Sequence, residues 1–124
     1  MANLEQFEKK DFLSIETFRK SGEGVKTPVW FTSESGNIYI YTEAHTWKMK
    51  RVRNNNRVRI APCKFNGDVL GEWIEAEAAI VTDDALKQHI DALLTSKYGL
   101  LKRFFDLLGR FSKGEKGYLH VTPV

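Results

Sequence analysis

Cysteine is nearly missing: the 124 residues hold one, Cys63. An internal disulfide is therefore impossible. A structural zinc site is excluded too, because such sites take four ligands in paired spacing and His45, His89 and His120 are scattered. Long apolar runs are missing as well. Charged or polar residues break every stretch short of the roughly 18 residues that a spanning helix needs. The opening Met1-Ala2-Asn3-Leu4-Glu5-Gln6-Phe7 lacks the basic start and apolar block of a secretory leader, so a cytoplasmic location is expected. Hydrolytic signatures are absent: there is no Gly-x-Ser-x-Gly elbow and no Cys–His arrangement. Phosphate-cradling glycine loops are also lacking. Glu75 and Glu77 share one strand face, which reads as solubility. His89 reads as a solvated helix residue and Cys63 as core. Any chemistry here is expected to come from a cofactor.

What remains is ordinary globular material. Hydrophobic residues make up 42% and charged residues 28%, and eight Phe, four Tyr and three Trp exclude a disordered chain. The length fits one domain spanning 1–124. Its charge is uneven. Between Trp47 and Arg59 lie Lys48, Lys50, Arg51, Arg53, Arg57 and Arg59 and no acidic residue, six positive charges on a chain whose net charge is +3. The remainder is therefore −3, and one place alone attracts anions strongly.

Alternation at a period near two predicts strands at Leu13–Arg19, Val25–Phe31, Ile38–Thr42, Arg57–Phe65, Leu70–Val81 and Gly117–Thr122. Turn signals fall at Ser21–Gly24, Ser33–Asn37 and Asn66-Gly67-Asp68. A short helix is expected in Leu4–Lys10. Thr46 to Asn54 breaks the strand rhythm and reads as another, with Met49 and Val52 inward. A longer helix starts at the cap Asp83, carries Leu86, Ile90, Leu93 and Leu94, and ends at Tyr98-Gly99. Leu100–Leu108 reads as a further helical segment. Six antiparallel strands of these lengths tend to close into a small barrel, which removes exposed edges. The expected class is thus mainly β, a six-stranded antiparallel barrel with peripheral helices.

The basic helix is the candidate site. Thr46 is a good N-cap, and Lys48 and Arg51, three apart, share a face. Free helix amides with Lys and Arg side chains make a complete phosphate site. Three readings stay open on these residues: a solvated helix surface, a nucleic-acid patch with a nearby Trp, and a pocket for a small phosphorylated ligand.

Ser14–Gly22, Val25–Phe31, Tyr39–Ala44, Lys48–Asn55, Arg57–Cys63, Glu75–Ala78 and Lys97–Gly99, in this order and spacing, resemble the pyridoxamine-phosphate-oxidase-like flavin-binding split barrels. The likeness is to the small class often described as deazaflavin-dependent. The resemblance implies a split barrel with FMN, or alternatively the deazaflavin coenzyme F-420, and hydride transfer to or from a small organic substrate. It implies that Thr42, Thr46, Lys48 and Arg51 hold the cofactor phosphate, assisted by Lys50 and Arg53. It implies that the flavin ring lies against Lys26, Thr27, Pro28 and Val29. It also implies a homodimer with two cofactors at the subunit interface. The small size argues the same way, since a barrel core filled by its own side chains leaves a ring system to an outside cleft. Trp30, Trp73 and Phe104 are candidates for covering that cleft. Two departures stand out: Asn55-Asn56 replaces the common Asn-Pro, and Trp47 replaces a small residue before the phosphate-site lysine. A non-catalytic flavin-binding protein and a nucleic-acid-binding barrel are the alternative functions.

Overall fold

The computed structural model describes residues 4–99 and 116–124. The expected helix at Leu100–Leu108, and Phe104 within it, lie outside the described residues. A short 3-10 helix, Glu5–Phe7, precedes six strands. These are β1 (Phe12–Phe18), β2 (Gly24–Glu34), β3 (Asn37–Glu43), β4 (Arg57–Cys63), β5 (Ile74–Ile80) and β6 (Lys116–Pro123). Helix α1 (Trp47–Asn54) joins β3 to β4, and helix α2 (Asp84–Tyr98) follows β5. The strands form a closed antiparallel barrel in the order β1-β2-β3-β6-β5-β4. The expected class is therefore the observed one.

Alternate residues face inward. Leu13, Ile15, Val29, Phe31, Ile38, Ile40, Val58, Ile60, Leu119 and Val121 fill the interior and are essentially inaccessible. Met49 and Val52 of α1 join this core, so the helix plugs one mouth of the barrel as their spacing predicted. A second cluster lies outside the barrel. There Ile90, Leu94 and Tyr98 of α2 cover Tyr39 and Tyr118. The cap on α2 is the expected one: Asp83 Oδ2 accepts from Leu86 N at 3.1 Å. No helix among the described residues is long and apolar enough to cross a membrane.

Two expectations need correction. The strand read from Leu70 begins only at Ile74, and the strand read to Phe65 ends at Cys63. Asn66 and Gly67 do make a turn, with Gly67 at φ 95° and Asn66 Oδ1 accepting from Asp68 N at 3.0 Å. That turn supports a single Cys63–Val69 bridge and no ladder. The apolar residues Phe65, Val69 and Leu70 stay exposed.

The second point concerns β2. Its pairing with β1 runs from Gly24 to Trp30, whereas its pairing with β3 begins only at Trp30. Among the described residues, positions 24–29 are thus paired on one side only. Pro28 falls inside this stretch, where a residue lacking N–H is tolerated.

Candidate functional site

Helix α1 brings its cations to the plugged mouth. Lys48 Nζ donates to Thr42 Oγ1 at 2.9 Å. Arg51 Nε donates to Thr17 Oγ1 at 2.7 Å, and Thr17 is buried at the end of β1. Both residues are partly covered by protein. Burial pulls the Lys48 ammonium below the usual lysine range, and the neighbouring Arg51 charge lowers it further against a smaller upward pull from Glu43. Arg51 is lowered by burial first and by Arg19 second. Among the described residues no carboxylate forms an ion pair with either. Three cations therefore crowd one corner, and two of them, Lys48 and Arg51, have hydroxyls as hydrogen-bond partners.

A cleft of about 780 Å³ opens beside this corner. One wall is Trp47, Lys50 and Arg51 of α1. The facing wall is Phe18, Arg19 and Lys20, where β1 runs into its turn, with Val25 of β2 below. Sequence reasoning missed Thr17, Phe18, Arg19 and Lys20. The signal was the pair of cations following Phe18 just before Gly22, a turn residue at φ 92°. Only the barrel closure shows that this turn lies opposite α1.

The expected residues do not all meet: Lys50 and Arg51 line this cleft, whereas Thr42, Lys48 and the Lys26–Val29 stretch do not. Thr46 occupies the N-cap position, but its hydroxyl donates to Glu43 O at 3.1 Å and makes no cap to the helix amides. This corrects the expectation of a capping hydroxyl: the short link from β3 turns the side chain back on itself. Thr46 and Arg53 line a separate cavity of about 240 Å³, along with His45. Trp47 and Lys50 border both cavities. On β2, Thr27 and Val29 are paired with the inward residues Ile15 and Leu13, and Val29 is buried in the core. Lys26 and Pro28 are exposed, and Lys26 Nζ lies 5.1 Å from the Trp73 ring centre. Trp73 also receives the Arg59 guanidinium at 5.2 Å, and Arg59 pairs with the buried Glu16 at 3.0 Å. Trp73 is thereby committed to a cation cluster on the outer barrel face. Trp30 packs edge-on to Tyr98 and Phe12.

The remaining chemistry is structural. Glu75 pairs with Arg57 at 3.5 Å and Arg59 at 3.8 Å. His89 Nε2 meets Glu34 Oε1 at 2.8 Å, so the residue read as solvated has a hydrogen-bond partner on β2. Cys63 is buried, which raises its thiol above the usual range. No group of three or more metal-ligating side chains gathers among the described residues.

No family model matches the chain, and no curated protein matches it. Solved structures do match. The heme storage protein HutZ from Vibrio cholerae superposes with a TM-score of 0.74 at 14% identity, over 97% of this chain and 86% of its own. A provisionally assigned pyridoxamine 5'-phosphate oxidase from Listeria innocua gives 0.64 at 16%, over 97% and 89%. An F-420 reductase gives 0.61 at 13%, over 100% and 94%. The fold is the pyridoxamine-phosphate-oxidase-like split barrel. At these identities the likeness is one of fold, and the site of this split barrel rests on its own residues.

Proposed function

We propose that this split barrel binds a flavin-type phosphate cofactor in its basic cleft and uses it for hydride transfer with a small organic substrate. The observation that carries the reading is the Lys48–Arg51 corner. Its cations repel one another, are partly desolvated, and hydrogen-bond to threonines instead of carboxylates. A phosphate placed there would relieve the repulsion and accept charge-assisted bonds. FMN is the first choice and the deazaflavin coenzyme F-420 the second.

The residues present fit such a group. The cleft volume lies within the roughly 300–1,000 Å³ usual for ligand sites. Arg51, Arg19 and Lys50, which line the cleft, would hold the phosphate, and Lys48, outside the lining but coupled to Arg51, adds positive charge. Thr42 and Thr17 orient Lys48 and Arg51 through their hydroxyls. The one-sided stretch Lys26–Val29 offers backbone groups along an open edge to the ring system, a role for the main chain, since the Val29 side chain is core. When bound, the cofactor supplies a two-electron redox centre. The chain binds, orients and desolvates it. None of the described cleft residues is a carboxylate or an imidazole, so acid–base work is not assigned to any of them.

Fluorescence titration with FMN, the deazaflavin, riboflavin and hemin tests this. Saturable binding of FMN or the deazaflavin is expected, with riboflavin at least about tenfold weaker because it lacks the phosphate contact. No saturable change with either phosphorylated cofactor overturns the reading. A nucleic-acid protein would instead bind oligonucleotides with a steep salt dependence. A non-catalytic carrier would bind the cofactor yet show no reduction of it under any donor.

A further inference from the structure

Trp47 is the unexplained residue of the basic helix. It is 71% exposed. It is not loose surface decoration, however. Lys50 Nζ sits 5.0 Å from its ring centre, and the two side chains together form the ridge between the large cleft and the small cavity. On the far side of the ridge, His45 and Thr46 face Arg53. None of the residues that line this cavity is acidic. At about 240 Å³ it has ample room for one phosphate or carboxylate group.

We propose that the His45–Arg53 cavity is a second anion subsite, and that the Trp47–Lys50 ridge selects a ligand set carrying two acidic groups, one on each side. The inference rests on the cofactor reading for the first group only. Lys50 neutralises whichever group approaches the ridge, and the exposed Trp47 face supplies a stacking surface between them. The second group comes either from an extended cofactor or from a separate acidic substrate bound beside FMN. The chemistry required of the subsite is the same in both cases.

The test uses the full chain, wild type, with Arg53→Ser and, as a charge-matched control, Arg57→Ser. Arg57 is exposed and lines neither cavity. In one arm, FMN and FAD are titrated by flavin fluorescence. In the other, inorganic pyrophosphate is titrated into FMN-loaded protein and, separately, into flavin-free protein, with tryptophan emission as the readout. An extended cofactor gives FAD binding at least tenfold tighter than FMN. A separate substrate gives a saturable pyrophosphate response on FMN-loaded protein. Either effect should fall at least fivefold in Arg53→Ser and less than twofold in Arg57→Ser. The absence of both effects, or equal losses in the two variants, overturns the second subsite. Failure of both FMN and the deazaflavin to bind would remove the cofactor reading alone. The flavin-free pyrophosphate arm still decides the subsite, through its dependence on Arg53.

Discussion

At the scale of single residues, the site depends on how two cations are tied down. Arg51 is held by a buried hydroxyl, so its guanidinium is directed and not merely present. Arg51→Glu should therefore weaken FMN binding by roughly 10- to 150-fold, the loss of a charge-assisted hydrogen bond of about 1.5–3 kcal/mol. The right comparison is Arg57→Glu, measured by the same fluorescence titration and expected to change affinity less than threefold. Arg59, the obvious choice from sequence, is a poor control because it neutralises the buried Glu16. Lys48 adds a pH dependence. Its pKa is lowered in the free protein, chiefly by burial. Phosphate binding favours the charged amine, so affinity should fall as pH rises, beginning below the ordinary lysine value of 10.5. A titration series in pH on wild type and Lys48→Met should show this limb only in the wild type. The cationic character of this corner was legible in the run Lys48–Arg53. The partners Thr17 and Arg19 were not, because they come from the other end of the β1–β2 hairpin. No local pattern links residues 34 positions apart.

At the scale of elements, α1 and α2 are fixed by different means. The plug α1 is held by Met49 and Val52, which a spacing of three already revealed. The last turn of α2 is held by polar groups that no periodicity shows. Tyr98 Oη lies 2.6 Å from both Asp11 O and Phe31 O and accepts from Phe31 N at 3.2 Å. Beside it, Lys97 Nζ donates to Phe31 O at 2.8 Å. Burial brings the Lys97 ammonium down to about 8, against an opposing pull from Asp11. Burial pushes the Tyr98 phenol well above its ordinary range. The two act on stability in sequence. Between about pH 8 and 10.5 the unfolded chain holds more protons at Lys97 than the folded one, so stability rises with pH. Above the ordinary tyrosine value of 10.0 the unfolded chain loses the Tyr98 proton first, and stability falls again. Urea midpoints measured from pH 7 to 11 should pass through a maximum near pH 10. Lys97→Met should flatten the rising limb and leave the falling one. The boundaries of β4 and β5 were misread for a related reason. The apolar residues Leu70 and Trp73 imitate a strand, but pairing requires a neighbour in register, and it goes no further than the Cys63–Val69 bridge and the Leu70 N to Pro62 O bond.

For the whole molecule, closure was readable from strand number and length, because six strands leave few ways to hide their edges. The stretch of β2 that runs past its β3 partner was visible only as one oddly placed proline. The chain is expected to act as a homodimer, since a two-fold contact supplies two equivalent clefts outside a filled barrel. Light scattering should give twice 14.3 kDa. A monomer that binds FMN tightly would contradict the dimer and leave the cofactor site standing. The one-sided stretch of β2 has a consequence for solubility. Main-chain groups between Gly24 and Val29 that find no β3 partner offer a template on which another strand could add. Pro28 withholds a donor there, and the exposed Lys26 adds charge, two devices that discourage edge-to-edge stacking. Pro28→Val restores the missing N–H and raises β-propensity at once. It should leave the thermal midpoint nearly unchanged, yet shorten the lag before thioflavin-positive fibres form under agitation. Saturating FMN, by occupying that edge, should lengthen the lag again.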